Sequence, residues 1–152
     1  MENELMNLES DPNDYVSSVS WIQEGGSHIA VGTANNTVQL WDVQAQKKVR
    51  TMTGHSARVS ALSWNGHMLS SASRDTSIIN HDVRIQDHQI GKFTHHTQEV
   101  CGLAWSPDGK MLASGANDNT LCIWDQAMST NNSGNAAPKY VLNDHQAAVK
   151  AL

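Results

Sequence analysis

The chain has 152 residues, with 10 basic against 15 acidic side chains and a net charge of −5. That balance disfavours a nucleic-acid footprint, which needs clustered Lys and Arg. No apolar run approaches a membrane span, and the acidic start MENELMNLES lacks the basic and apolar regions of a signal peptide.

Taken in order, residues 1–13 hold a short amphipathic stretch at 4–8, read as the outer strand of a preceding unit, and a turn at Asp11-Pro12-Asn13-Asp14. Residues 14–53 form a first unit, with strands predicted at 16–21, 28–31, 37–41 and 47–52. Gly25 and Gly26 lie in its first turn, and Lys47-Lys48-Val49-Arg50 marks a solvated outer strand that blunts edge pairing. Residues 54–94 form a second unit, starting near Val59. Asn65-Gly66 is a strong hairpin signal there, followed by strands at 77–81 and 89–93. Residues 95–143 form a third, with apolar runs at 100–105, 111–113 and 120–124 and an outer strand at 139–142. Ser106-Pro107-Asp108-Gly109 and 115–119 supply its turns: Pro presets a turn dihedral, Gly accepts positive φ, and Asp and Asn bond their own backbone. The Asn- and Ser-rich stretch 126–138 is expected to be a loop. Residues 144–152 open a further unit. Apolar runs of this length between such turns predict an antiparallel all-β meander.

These units repeat. Trp41-Asp42, His81-Asp82 and Trp124-Asp125 fall 40 and 43 residues apart. His55, His96 and His145 precede Val59, Val100 and Val149, and Trp21, Trp64 and Trp105 close the first strands. A period of about 40–45 residues with four strands and a Trp-Asp ending is the signature of a propeller blade. The chain thus resembles the WD-repeat family. The expected fold is a partial WD-repeat β-propeller of about three four-stranded blades plus the start of another. Propellers usually have 4 to 8 blades, so the expectation is a fragment of a longer chain, in preference to self-association that closes a ring.

The resemblance gives the polar residues a structural role. His96, Ser114, Asp118 and Trp124 stand where WD repeats carry a hydrogen-bonded tetrad, in which Asp orients His, His meets Ser, and Ser meets the Trp N–H. The second unit keeps His55, Ser71 and Asp75 but has His81 in the Trp position. The first has Pro12, Val31 and Asn35 and keeps only Trp41. Hydrolysis by Ser, His and Asp is disfavoured, since no oxyanion-hole or elbow motif accompanies them. Zinc is disfavoured as well: neither C-x-x-C nor H-x-x-x-H spacing occurs among the eight His and two Cys. No cofactor or metal is expected, and no enzymatic activity. The two cysteines, Cys101 and Cys122, fall in predicted strands and fit a reducing compartment.

Longer stretches narrow the likeness. AVGTANNTVQLWDV (30–43), GHSARVSALSWN (54–65), INHDVR (79–84), HTQEVCGLAWSPDGKMLASGANDN (96–119) and DHQAAVKAL (144–152) are similar to the fizzy family. These are the coactivators of the anaphase-promoting complex of the cell division cycle protein twenty type. The resemblance implies a seven-bladed propeller, of which this chain would supply the second to fourth blades. It also implies an activator that captures substrate degrons for a ubiquitin ligase. Partners would be anaphase-promoting complex subunits, degron-bearing substrates and spindle-checkpoint proteins, in the nucleus and cytoplasm. Asn117 and Asn119 match family asparagines at the Lys-Glu-Asn peptide site, and a second peptide groove would lie between the first two visible blades. On the residues alone, both asparagines read as turn formers. A generic WD-repeat interaction scaffold in another complex is the alternative.

Overall fold

A computed structural model describes residues 13–23, 25–128 and 137–150. The expectations placed on residues 4–8, on Pro12 and on most of the 126–138 loop lie outside those residues.

The described chain is three four-stranded antiparallel sheets in which neighbours in sequence are neighbours in space. The first contains β1 (Val16–Trp21), β2 (His28–Thr33), β3 (Val38–Asp42) and β4 (Lys47–Met52). The second contains β5 (Val59–Asn65), β6 (Met68–Ser73), β7 (Ser77–Asp82) and β8 (Gln89–Thr94). The third contains β9 (Val100–Trp105), β10 (Met111–Ala116), β11 (Leu121–Asp125) and β12 (Tyr140–Leu142), with one 3-10 turn at Gln126–Met128. Each sheet is a meander because most connections are short and several carry Gly, Asn, Asp or Ser, the longer one joining β11 to β12 across residues 126–139. Trp41, His81 and Trp124 hold equivalent positions in β3, β7 and β11, opposite Ile29, Leu69 and Leu112.

The turns between second and third strands share one backbone solution. Asn36, Thr76 and Asn119 occupy it with φ of 72°, 75° and 67°. Asn tolerates this left-handed conformation; a β-branched Thr is strained there. The Asn65-Gly66 hairpin has a different register from the expected one. Asn65 pairs with Met68, so Gly66-His67 form the two-residue loop. Gly66 takes φ 60° and His67 does not have positive φ, as in a type II′ turn. Asn65 is thereby freed to donate from Nδ2 to the Gly109 carbonyl of the third sheet, 3.0 Å away.

The sheets pack face to face through their first strands. Ser17 and Ser18 donate to the Val59 carbonyl, and Ser60 donates to that of Val100. The Trp at the end of each first strand reaches backwards: Trp64 Nε1 donates to the Ser20 carbonyl (3.0 Å) and Trp105 Nε1 to Ser70 Oγ (3.1 Å). Trp64 is buried and Trp105 nearly so, whereas Trp21, with no described sheet before it, is 53% exposed. Two apolar clusters result. One joins the first and second sheets around Val38, Leu40, Val59 and Trp64; the other joins the second and third around Phe93, Leu112 and Trp124. Trp124 stacks on Phe93 of the preceding sheet, ring centroids 4.4 Å apart and 4° from parallel.

Gly32 and Gly115 are needed for this approach. A Cβ at Gly32 would lie 2.7 Å from Val59 Cγ1, and one at Gly115 would lie 2.5 Å from Val149 Cγ1 and 2.6 Å from the Val149 carbonyl. Val149 also donates its N–H to the Ala116 carbonyl. The segment after β12 therefore docks on the third sheet much as β5 docks on the first.

The outer strand β4 is only partly the solvated edge expected from its charges. Lys47, Lys48 and Val49 are exposed, but Arg50 turns towards the second sheet and donates to the carbonyls of Val83, Ile85 and Gln86. Both cysteines are free, Cys101 in β9 and Cys122 buried in β11.

Candidate functional site

The polar residues singled out from sequence assemble at one rim of the sheets, between the segment before each first strand and the turn joining second and third strands. In the third sheet Asp118 accepts from His96 Nδ1 (3.0 Å), from the Thr97 N–H (3.0 Å) and from the Thr120 hydroxyl. His96 Nε2 lies 2.8 Å from Ser114 Oγ, and Trp124 Nε1 donates to the same oxygen at 2.9 Å. Trp N–H can only donate, so the protons run in one direction: Trp124 to Ser114, Ser114 to His96, His96 to Asp118.

Burial of Asp118 opposes its ionisation. The donors Thr120, Thr97 and His96 outweigh it and hold the carboxyl at about 2. Burial keeps the His96 ring below its ordinary range, against the pull of Asp118. An ionised carboxylate beside a neutral imidazole suits a structural clasp. Ser114 is fully buried, and its lone pair is occupied by the Trp124 N–H.

The second sheet repeats the clasp with a different ending. Asp75 accepts from His55 Nδ1 (3.0 Å), Ser56 N–H (3.0 Å) and the Ser77 hydroxyl. Burial opposes the charge on Asp75, and these bonds drive its carboxyl far below the usual range. His55 Nε2 lies 2.7 Å from Ser71 Oγ, and Ser71 Oγ lies 2.8 Å from His81 Nε2. His81 is 1% exposed, and burial pushes it well below ordinary histidine. Its second nitrogen, Nδ1, sits 2.9 Å from His88 Nδ1.

The first sheet has no such chain among its described residues. Trp41 Nε1 donates instead to Gln39 Oε1 on its own strand, 3.0 Å away. The rim carboxylate comes from the opposite side, with Asp14 accepting the Asn35 N–H at 3.0 Å.

The asparagines 117 and 119 flank Asp118 on the third rim turn. Asn117 donates its N–H to the Glu99 carbonyl (2.9 Å), and its Oδ1 accepts from the Cys101 thiol (3.3 Å). Asn119 donates its N–H to the Ala116 carbonyl (3.2 Å) and closes the turn in the left-handed conformation. The clasp beneath, through Asp118, fixes this turn. Beside it runs a bidentate ion pair, Arg58 Nε and Nη2 to Glu99 at 2.8 and 2.9 Å. Sequence gave no sign of this pair, because the residues are far apart in the chain and belong to different repeats.

A second concavity lies on the flank between the first two sheets. It is a groove of about 320 Å³ lined by Ile22, Leu40, Val49, Trp64, Val83 and Arg84, among others. Its floor is apolar, and Arg84, His28 and His67 give it polar edges. Among the described residues no three His, Cys, Asp or Glu side chains converge as metal ligands would.

Comparison with known proteins agrees with this geometry. Residues 87–125 match the model of the WD domain, G-beta repeat, and residues 3–67 match that of the anaphase-promoting complex subunit 4 WD40 domain. The chain is 50% identical over 140 residues to the anaphase-promoting complex subunit cdc20 of Dictyostelium discoideum, covering 92% of this chain and 27% of that protein. It is 51% identical over 144 residues to the WD repeat-containing protein slp1 of Schizosaccharomyces pombe, covering 95% of this chain and 28% of that protein. To the protein FIZZY-RELATED 3 of Arabidopsis thaliana it is 48% identical, covering 93% of this chain and 28% of that protein. A chain in a crystal structure of the mitotic checkpoint complex superposes with a TM-score of 0.86 at 51% identity, covering 93% of this chain and 41% of that one. The chain thus spans little more than a quarter of these curated relatives. With the repeated sheets, the rim clasps and this identity taken together, the chain belongs to the fizzy and cell division cycle twenty family of WD-repeat proteins, as a partial propeller.

Proposed function

We propose that these blades belong to a substrate-recognition and activator subunit of the anaphase-promoting complex, one that binds degron peptides and leads their owners to ubiquitination. The observation that carries this reading is identity near 50% across more than nine-tenths of the chain with a protein named as an anaphase-promoting complex subunit and with a fizzy-related protein. Asn117 and Asn119 are the proposed peptide contacts. They present amide groups on a turn held rigid by Asp118, which reduces the ordering cost of binding. The groove between the first two sheets is proposed as a second peptide site, with an apolar floor for side chains and polar edges for orientation. Spindle-checkpoint proteins are proposed as further partners, in line with the assembly named for the structural neighbour. The protein is expected to act in the nucleus and cytoplasm.

No chemistry of its own is assigned. The Ser, His and Asp side chains are consumed by one another and by Trp124 or His81, so no hydroxyl is poised for attack. Affinity purification of the intact protein from dividing cells tests the reading. Anaphase-promoting complex subunits are expected to co-purify. Their consistent absence, with a different stable set of partners, would favour a scaffold in another assembly.

A further inference from the structure

The second sheet raises a problem that the third does not. Trp has one N–H, and Ser114 satisfies it. His81 in the same position has two ring nitrogens, both inside a core where it is 1% exposed. A buried ring nitrogen without a partner is costly.

The proton positions can be deduced for a neutral network. Asp75 is ionised and only accepts, so His55 carries its proton on Nδ1 and leaves Nε2 as an acceptor. Ser71 must then donate its hydroxyl proton to His55 Nε2. The Ser71 oxygen, having spent its proton, accepts from His81, which places the His81 proton on Nε2. His81 Nδ1 is therefore a bare lone pair in the core. The atom facing it, at 2.9 Å, is His88 Nδ1, which must carry a proton.

We propose that His88 is a positioning residue: its Nδ1–H extends the second blade's clasp to a fifth member, makes His81 acceptable in place of Trp, and locks the 83–88 segment that walls the groove between the first two sheets. The same segment is held from two other directions. The Asp82 N–H donates to the His88 carbonyl at 2.8 Å, and Arg50 of the first sheet caps the carbonyls of Val83, Ile85 and Gln86. Val83 and Arg84 in this segment line the groove. His88 is half-buried. The titratable and charged groups acting on it are His81 on β7, Arg50 on β4 and Asp87 on its own segment. The inference concerns the free protein and does not depend on a peptide entering the groove.

The role of His88 is conditional, and that makes it testable. With Trp at position 81, as in the third sheet, the Ser71 oxygen would accept the indole N–H and His88 would have nothing to satisfy. The experiment is a double-mutant cycle on the intact protein with His88→Ala and His81→Trp, followed by thermal melting and amide exchange. His88→Ala alone is expected to lower Tm by about 3–8 °C, from the cost of an orphaned buried acceptor, and to speed exchange across 83–88. In the His81→Trp background the same change is expected to leave Tm within about 1 °C. Nitrogen-15 spectra of the unmutated protein near neutral pH give a second reading that needs no variant to fold. They should show His88 protonated at Nδ1 and His81 at Nε2. Equal losses from His88→Ala in both backgrounds would overturn the proposal, and so would a His88 protonated at Nε2 with Nδ1 bare.

Discussion

At the scale of single residues, the rim is governed by carboxylates that are desolvated and fully satisfied. Asp118→Ala strands the His96 nitrogen and the Thr97 N–H, so it is expected to cost about 1–3 kcal/mol in urea unfolding. An unchanged midpoint would mean that the clasp contributes nothing. Thr76 offers the opposite sign. It holds the left-handed position that Asn36 and Asn119 occupy in the other sheets, so Thr76→Asn should relieve strain and stabilise by about 0.5–1 kcal/mol. The histidines set the response to acid. His81, His88 and His96 all bind protons less readily in the fold than in the open chain. The unfolded state therefore takes up protons first, and stability is expected to fall as pH drops below about 6.5. Asp118 adds a second decline, because its stabilisation is complete above the ordinary carboxylate range and is lost as pH falls from there through about 2. Unfolding free energies measured between pH 8 and pH 3 should show the first decline and the start of the second. A flat profile from 8 to 5 would contradict the buried neutral rings.

At the scale of elements, the strands were legible from sequence because two signals agree at each of them: an apolar run of strand length, and turn residues on both sides. Every strand of the second and third sheets for which a start was expected, all but β6, begins within a residue of it. Legibility fails where one repeat reaches into another. Arg50 read as a solvated charge, since nothing local says that the Val83–Gln86 carbonyls lie across from it. Asn65 read as a turn residue, and its actual task is a bond to Gly109 of the next sheet. The Gln39 acceptor for Trp41 was likewise hidden, although the missing Ser at Val31 signalled that Trp41 needed another partner. His88 left a comparable trace: a His in a Trp position has one ring nitrogen too many. Contact between sheets also yields a prediction. Gly115→Ala would drive a methyl into the Val149 carbonyl, with backbone on both sides unable to yield. It should cost about 1–3 kcal/mol and expose the 144–150 amides to exchange. Normal protection there would mean that Val149 does not dock as described.

At the scale of the whole molecule, three equivalent sheets present one rim bearing stiff polar turns and one flank bearing an apolar groove. Such a scaffold suits the capture of short extended peptides, and among the described residues the rim Ser, His and Asp side chains are engaged with one another. The candidate contacts were legible only through family likeness. Asn117 and Asn119 look from local chemistry like ordinary turn residues, and their backbone behaves as such. What singles them out is a rigid turn next to the Arg58–Glu99 pair, with the Asn117 side-chain oxygen held by the Cys101 thiol. Binding of a fluorescent Lys-Glu-Asn peptide to the intact protein, with and without Asn117→Ala, tests the central claim most directly. The account predicts saturable binding that is abolished by scrambling the peptide and weakened at least about tenfold by Asn117→Ala, a loss of about 1.4 kcal/mol. Binding that is equally strong with Asn117 removed, in a protein whose melting is unchanged, would contradict it.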